Sequence, residues 1–376
     1  MVSIWESETF FAPQDVIIIG SGFVGLWSAL HLKQAHPKAK ITILERGIIP
    51  TGASTRNAGF ACFGSLSELM HDAQMMGTEK MLAVAEMRYK GLQSIQQYFK
   101  KKEIDFELCG GYELYDSSQI STEILHQNID YINALIKPIT DSKSTFKLAD
   151  DSISQYGFGQ TKHLVKNKLE GYLHSGKLVK ALLQKVQALG VQVLSGIETT
   201  GFEEVNGKIK VNTNQPFNFS TAQLLLCTNA FTKELAPELD IVPARGQVLL
   251  TSPIKNLPWK GTFHSEEGYY YFRNLGDRVL LGGARHKEFE NERTKEMVTS
   301  GSIQSHLQQY LDNVVLPHSK GDYTIERRWS GIMAMGSEKT PIVKELQPNV
   351  FCAVRMNGMG VALAPIVGQK IAKMML

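Results

Sequence analysis

Residues 15–45, DVIIIGSGFVGLWSALHLKQAHPKAKITILE, constrain the fold of this chain more than any other stretch. Val16 to Ile19 form an apolar run suited to a buried parallel strand. Gly20, Ser21, Gly22, Phe23, Val24 and Gly25 follow directly and give G-x-G-x-x-G. Leu26, Ala29, Leu30 and Lys33 then recur at helical spacing until Pro37-Lys38 ends the helix. A second apolar run, Ile41 to Leu44, stops at Glu45. Gly20 suits a tight turn, Gly22 a close approach of backbone to a pyrophosphate, and Gly25 close packing of helix on strand. The helix N-terminus presents N–H groups to phosphates. Glu45, ending the second strand, is placed to accept from ribose hydroxyls. The competing reading is a glycine-rich turn in some other α/β protein. It accounts neither for Glu45 nor for glycines set directly after the strand.

The chain has 376 residues, enough for two domains and a large core. Its 40 basic and 37 acidic residues leave a net charge of +3 with no basic run, so no nucleic-acid partner is expected. Cys62, Cys109, Cys227 and Cys352 lie far apart without a CxxC pair. They read as reduced thiols of a cytoplasmic protein, with no metal site. The opening MVSIWESETFFAPQD lacks the basic start and apolar core of a signal peptide. The apolar stretch after Asp15 is broken by glycines, so no membrane span is expected.

Further along, residues 46–65 form a small, glycine-rich segment able to lie along a flat ligand; an ordinary surface loop is the alternative. The pattern is helical over 66–100, with its methionines reading as core filler. A strand and turn follow at Gly110-Gly111, and a helix over 121–137 is closed by Pro138. Residues 140–170 give few periodic signals. Residues 176–190 carry a helix capped by Gly190, then a strand from Val191 and a hairpin around Asn206-Gly207. Leu224 to Cys227 read as a buried strand running into Thr228 and Asn229. A strand over 268–273 puts Tyr269, Tyr271 and Arg273 on one face. Residues 291–312 look helical, Val350 to Val354 form a strand, and a last helix starts near Pro365.

In this order the segments resemble the D-amino-acid oxidase superfamily of FAD-dependent amine oxidoreductases, which includes glycine oxidase and sarcosine oxidase. The resemblance covers nearly the whole chain. It rests on the first βαβ unit with Glu45-Arg46, the loop TGASTRNAGF, HSGKLVKALLQKVQALGVQVL, LLLCTNAF and RMNGMGVALAPIVGQKIA. Within it, SIWESETFF, the loop Arg56 to Gly59, EIDFELCGGYEL and YYYFRNLGDRVLLGG are similar to the gamma-glutamylputrescine oxidases. The resemblance implies an α/β fold: an FAD-binding Rossmann-like domain (1–95, 170–240 and 325–376) interleaved with an antiparallel-sheet α+β substrate domain (96–169 and 241–324). It implies that Gly20, Ser21, Gly22, Phe23, Val24 and Gly25 hold the FAD pyrophosphate, Glu45 the adenosine ribose, and Arg46 and Ile197 the adenine. Ser54, Thr55, Asn57, Ala58 and Gly59 line the ribityl chain and isoalloxazine. Thr228, Asn229 and Gly331 complete the cofactor contacts, and Gly358, Met359, Gly360 and Val361 form a loop at the pyrimidine edge.

Four departures sharpen the functional expectation. Relatives that oxidise amino acids often carry an Arg for the substrate carboxylate where this chain has Met333, which argues against a simple α-amino acid. A Lys that aids reaction with oxygen in sarcosine oxidases is replaced near Leu281 by apolar residues, which leaves oxygen or another electron acceptor open. The loop after Glu45 has Arg56-Asn57 and no His, so non-covalent FAD is expected. Arg355 replaces a small residue; substrate contact, flavin contact and an ion pair are all open for it. The function so implied is oxidation of a C–N bond in a small-molecule amine by hydride transfer to flavin N5, giving an imine that hydrolyses. Tyr269, Tyr271, Arg273, Trp329 and Arg355 are the candidate pocket residues; sheet-core packing is the alternative for the tyrosines. A hydroxy-acid or glycerol-phosphate-like dehydrogenase and a tRNA-modifying oxidase are the competing classes.

Overall fold

The computed structural model describes residues 2–116 and 120–375. The chain divides into two compact units: Met1–Thr55, Ser175–Pro243 and Met333–Leu376 form the first, and Arg56–His174 with Ala244–Ile332 the second. Each is thus assembled from separated segments. Residues 56–95, given above to the cofactor domain, group with the second unit. The local reason is visible: the Ser67 N–H and the Ser65 and Ser67 hydroxyls all bond to the carboxylate of Glu113, in that unit's sheet.

The first unit is built on parallel pairing. Gln14–Ile19 lies between Phe219–Leu226 and Ile41–Glu45, with Gln192–Ser195 beyond the latter. Val350–Val354 extends the other side in parallel, and Ile342–Gln347 closes that edge antiparallel. The continuous apolar runs follow from this, because central strands are covered on both faces. The hairpin expected at Asn206-Gly207 joins Thr199–Val205 to Lys208–Thr213, with both turn residues at positive φ. Helix Phe23–Ala35 buries Leu26, Trp27 and Leu30 completely, each contributing about 1.5–3 kcal/mol. The last helix, Gly360–Ala372, packs along it. A Cβ at Gly368 would stand 2.8 Å from the backbone of Trp27 and Ser28, so glycine is required for this approach. That helix begins five residues before Pro365 and carries the proline inside; the contact with Phe23–Ala35 holds what the missing donor weakens.

The second unit is a largely antiparallel eight-stranded sheet. Thr262–Ser265, Tyr270–Leu275, Arg278–Gly283 and Val242–Thr251 pair in succession, and Gly111–Tyr115 joins Thr262–Ser265 in parallel. One face packs Phe263, Phe272, Leu249 and Leu281 against Ile303, Leu307 and Leu311. The helical pattern over 66–100 breaks into Leu66–Met76 and Thr78–Tyr98 at Gly77, whose φ is +85°. Helix Thr122–Thr140 runs past Pro138 to an Asp141 cap in the left-handed region. The helix expected over 291–312 starts only at Gly301, runs to Tyr310 and continues as a π-helical turn over Leu311–Val315. Ahead of it, the Glu292 carbonyl accepts from Arg245 N–H and Ser300 N–H donates to Gln247 Oε1, which draws this backbone away from helix. Residues 140–170 hold two short strands, Phe146–Leu148 and His163–Asn167. No described helix is long and apolar enough to cross a membrane.

Candidate functional site

The first unit gathers its loops at the C-terminal ends of the parallel strands. Gly20 has φ +100°, and a Cβ there would meet the Cys227 carbonyl oxygen at 2.9 Å. A Cβ at Gly25 would lie 2.0 Å from the Gly20 oxygen, which only glycine avoids. Gly22 is the extended N-cap of helix Phe23–Ala35 and offers no side chain to it; Ser54 Oγ accepts from Phe23 N–H at 2.9 Å. Glu45 is buried. Its Oε2 accepts from Ser21 N–H (3.0 Å) and Ser21 Oγ (2.8 Å), and its Oε1 from Gly47 N–H (2.9 Å). Ile197 N–H donates to the Glu45 carbonyl. Arg46 stacks over Phe231 at 3.9 Å and approaches Glu198. Thr55 Oγ1 donates to the Pro50 carbonyl. Thr228 Oγ1 bonds Thr232 Oγ1, and Asn229 follows with φ +50°.

A second loop of this unit precedes helix Gly360–Ala372. Arg355, Asn357 and Gly358 all have positive φ, which costs about 1–3 kcal/mol at each non-glycine position. Arg355 fixes the conformation. Its Nη1 meets Asp240 Oδ2 at 2.6 Å and also donates to the Asp240 carbonyl, while Nε and Nη2 donate to the Thr340 carbonyl. The substrate or flavin contact held open for Arg355 is therefore corrected: every nitrogen of its fork is spent on anchoring the loop. Met359, at the N-cap, gives no side-chain cap to the helix that starts with Gly360 and Val361. Met333 lies below, and a Cβ at Gly358 would reach its sulfur at 3.4 Å.

In the second unit the sheet face opposite the aromatic core carries most of the polar side chains named above as candidates. The register places Glu113, His264, Tyr271, Gly282 and Val248 in one row across five strands. Gly282 explains the row. A Cβ there would stand 2.4 Å from the Tyr271 ring, so its absence lets the phenol lie across the neighbouring strand. Ala58, Phe60 and Trp329 gather with Tyr271 on Val248, Leu250 and Leu280. The Arg56–Gly59 segment is clasped there: Arg56 Nη1 donates to the Ser330 carbonyl, and Trp329 Nε1 donates to the Arg56 carbonyl, each at 3.0 Å. Asn57 Oδ1 accepts from Gly59 N–H, and Gly331 is buried in the strand beyond Ser330. Tyr269 is corrected. It precedes the strand in a turn and packs on His286 and Phe289. Arg273 does share the Tyr271 face. It stacks over Tyr172 at 4.3 Å and donates from Nη1 to the Leu173 carbonyl.

His264 was not singled out in the sequence, where a lone histidine in a strand carries no signal. Burial pushes its pKa down to about 4, and its Nε2 has no hydrogen-bond partner. Burial likewise pushes Tyr271 up to about 12. The face therefore presents a neutral imidazole and an un-ionised phenol at neutral pH.

The family model described as FAD dependent oxidoreductase (DAO) matches residues 15–374. The chain belongs to this family. Its relatives include the probable oxidoreductase OrdL of Haemophilus influenzae, 24% identical over 96% of this chain and 83% of that protein. They also include the gamma-glutamylputrescine oxidoreductase of Escherichia coli, 22% identical over the same shares. The fold matches glycine oxidase from Geobacillus kaustophilus with a TM-score of 0.77, at 16% identity over 97% of this chain and 95% of that one.

The protein is thus an FAD-dependent oxidoreductase, and the first unit fits its cofactor. A glycine cradle that any Cβ would fill, an N-terminus without side-chain cap, and a buried carboxylate with an open lone pair on Oε1 are the features a dinucleotide requires.

Proposed function

We propose that this FAD-dependent oxidoreductase oxidises the C–N bond of a small amine or amino-acid-like substrate. Bound FAD supplies the acceptor for the hydride that leaves the carbon next to nitrogen. The observation that carries the reading is the neutral aromatic patch around Tyr271 and His264 on this face of the second unit. An amine gives up hydride only with its lone pair free, so a wall that keeps the amine neutral favours reaction. Tyr271, His264 and Trp329 supply neutral groups for such a wall, and the Glu113 carboxylate in the same row is buried and taken by Ser65, Ser67 and Tyr115. Met333 stands where relatives place a carboxylate-binding Arg, which turns the reading toward amines over simple α-amino acids. The gamma-glutamylputrescine oxidoreductase among the relatives supports this direction.

For the cofactor we assign Gly20, Gly22 and Gly25 to the pyrophosphate, Glu45 to the ribose and Arg46 with Ile197 to the adenine. Residues 54–59 go to the ribityl and ring portion, and 358–361 to the pyrimidine edge. The loop holds no His, so FAD is bound without a covalent link, and acid precipitation leaves the yellow colour in solution. The deciding experiment mixes the oxidised protein anaerobically with a panel of amines, amino acids and 2-hydroxy acids. An amine should bleach the flavin fastest. Bleaching by hydroxy acids alone would overturn the reading.

A further inference from the structure

Arg273 has more buried charge than its partners satisfy. The residue is 4% exposed. Its Nη1 reaches the Leu173 carbonyl at 3.2 Å and the Gly59 carbonyl at 3.5 Å, and its carbon stacks on Tyr172. Its Nε is buried with no hydrogen-bond partner. Burial pulls its pKa down to about 10, and the Asp105 charge only partly opposes this. The other buried arginines of this unit each have a carboxylate partner: Arg245 forks onto Glu292, and Arg88, whose Nε and Nη2 are also unpartnered, meets Glu68.

Arg273 lines a cavity of about 390 Å³ that lies wholly within the second unit. Lys101 and Lys102, both exposed, line the same cavity. Two acids are present as well, Asp105 and Glu107. Glu107 is already taken by Lys260 and by the Tyr172 hydroxyl at 2.6 Å. Phe106 and Tyr172 add apolar wall to the same cavity. A buried guanidinium whose Nε is unspent suits a planar carboxylate, and the lysines suit a second, solvated anionic end.

We propose that this cavity is a binding site for a small linear dicarboxylate, with one carboxylate on Arg273 and the other at Lys101 and Lys102. Binding there bears on more than the cavity itself. Arg273 also holds the Gly59 carbonyl, and Gly59 N–H is fixed by Asn57. An anion on Arg273 therefore steadies the Asn57–Gly59 turn from below.

The test is calorimetric titration of the FAD-loaded protein with glutarate, and with uncharged glutaramide as the control. Saturable one-to-one binding of glutarate, weakening with added salt, is expected, with none for glutaramide. Arg273→Met should weaken it about ten- to a hundredfold. Lys101→Ser with Lys102→Ser, on the exposed rim, should weaken it about three- to tenfold without touching the fold, and so decides the matter if Arg273→Met fails to fold. Absence of glutarate binding to the unmodified protein would overturn the proposal. So would equal binding of glutaramide, or glutarate affinity unmoved by the lysine pair.

Discussion

Glu45 in the first unit and Glu170 in the second are both buried carboxylates that accept backbone N–H bonds, yet their surroundings differ. Glu45 ends a strand, takes its donors from the glycine turn it faces, and keeps an open lone pair. Glu170 sits in the interior beside Cys62, Glu68 and Glu113. It accepts from Phe63 N–H (2.8 Å) and Gly64 N–H (3.2 Å). Burial raises its pKa to about 8 despite those bonds. The contrast holds more widely. The first unit builds its proposed cofactor cradle from backbone, through glycines and helix starts, and charged side chains such as Arg355 brace its loops. The second unit encloses ionisable side chains in its interior, where each needs a specific partner. Substitutions in the second unit should therefore act through charge, and those in the first through space.

The sharpest test of this contrast is Glu292→Ala. Glu292 receives Arg245 Nε at 2.9 Å and Nη2 at 2.6 Å, and Gln247 Nε2 donates to both its oxygens. Removing it leaves Arg245 buried and uncompensated, which costs about 3–5 kcal/mol. Urea unfolding of the variant reads this directly. A loss below about 1 kcal/mol would mean that water reaches Arg245, and the enclosed-charge view of this unit would fail.

Glu170 gives the second test. Its carboxyl holds a proton in the folded state up to about pH 8, whereas the unfolded chain releases it near the ordinary value of 4.5. Stability from this group is thus complete below about pH 4.5 and is lost as pH rises toward 8. The slope between is about 1.4 kcal/mol per pH unit for one proton. Glu170→Gln keeps an oxygen for Phe63 and Gly64 and should flatten that slope, gaining on the parent as pH rises. Parallel curves for the two proteins across this window would place Glu170 among ordinary ionised carboxylates.

In the first unit, Gly25→Ala should cost about 1–3 kcal/mol, because the new methyl meets the Gly20 carbonyl at 2.0 Å and the helix must shift from the strand. The signature of a steric effect is independence from pH and salt. A strong dependence on either would blur the distinction between the units.

How much of this was legible in the sequence follows the same division. The apolar runs at 16–19 and 41–44, the glycines between and the turn at Asn206-Gly207 act through neighbours in sequence, so strand, turn and helix were readable there. Glu45 was placed at the strand end because strand length fixes it. The second unit was harder for a physical reason: its determinants are long-range. Nothing near Glu170 announces that Phe63 and Gly64 will donate to it, or that Gly111 makes room for it. Nothing near Glu292 announces Arg245, and that pairing unmakes the helical pattern over 291–300. Tyr269 was placed on the Tyr271 face by alternation alone, but the turn at Glu267 and Gly268, both at positive φ, ends the alternation before it. Arg355 read as open because its partner, Asp240, lies 115 positions away.

The smallest expected effect is also the one that separates bracing from binding. Ser21 Oγ donates to Glu45 Oε2 at 2.8 Å while Ser21 N–H donates to the same oxygen at 3.0 Å. Ser21→Ala removes the hydroxyl alone and leaves the backbone bond, so unfolding should fall by only about 0.5–1.5 kcal/mol. If Glu45 is held in this pose to receive a ribose, the loss appears again in cofactor affinity, because a carboxylate with one fewer restraint must be ordered on binding. FAD dissociation, followed by the rise in flavin fluorescence on dilution, should then weaken by about three- to tenfold in Ser21→Ala. Glu45→Gln keeps the shape but loses the charge, and should weaken FAD further than the serine change does, since a ribose hydroxyl donates more strongly to a carboxylate than to an amide. Unchanged FAD affinity in both variants, with the same small loss in unfolding, would assign Ser21 and Glu45 to loop bracing and leave the cradle's glycines as the binding element of the first unit.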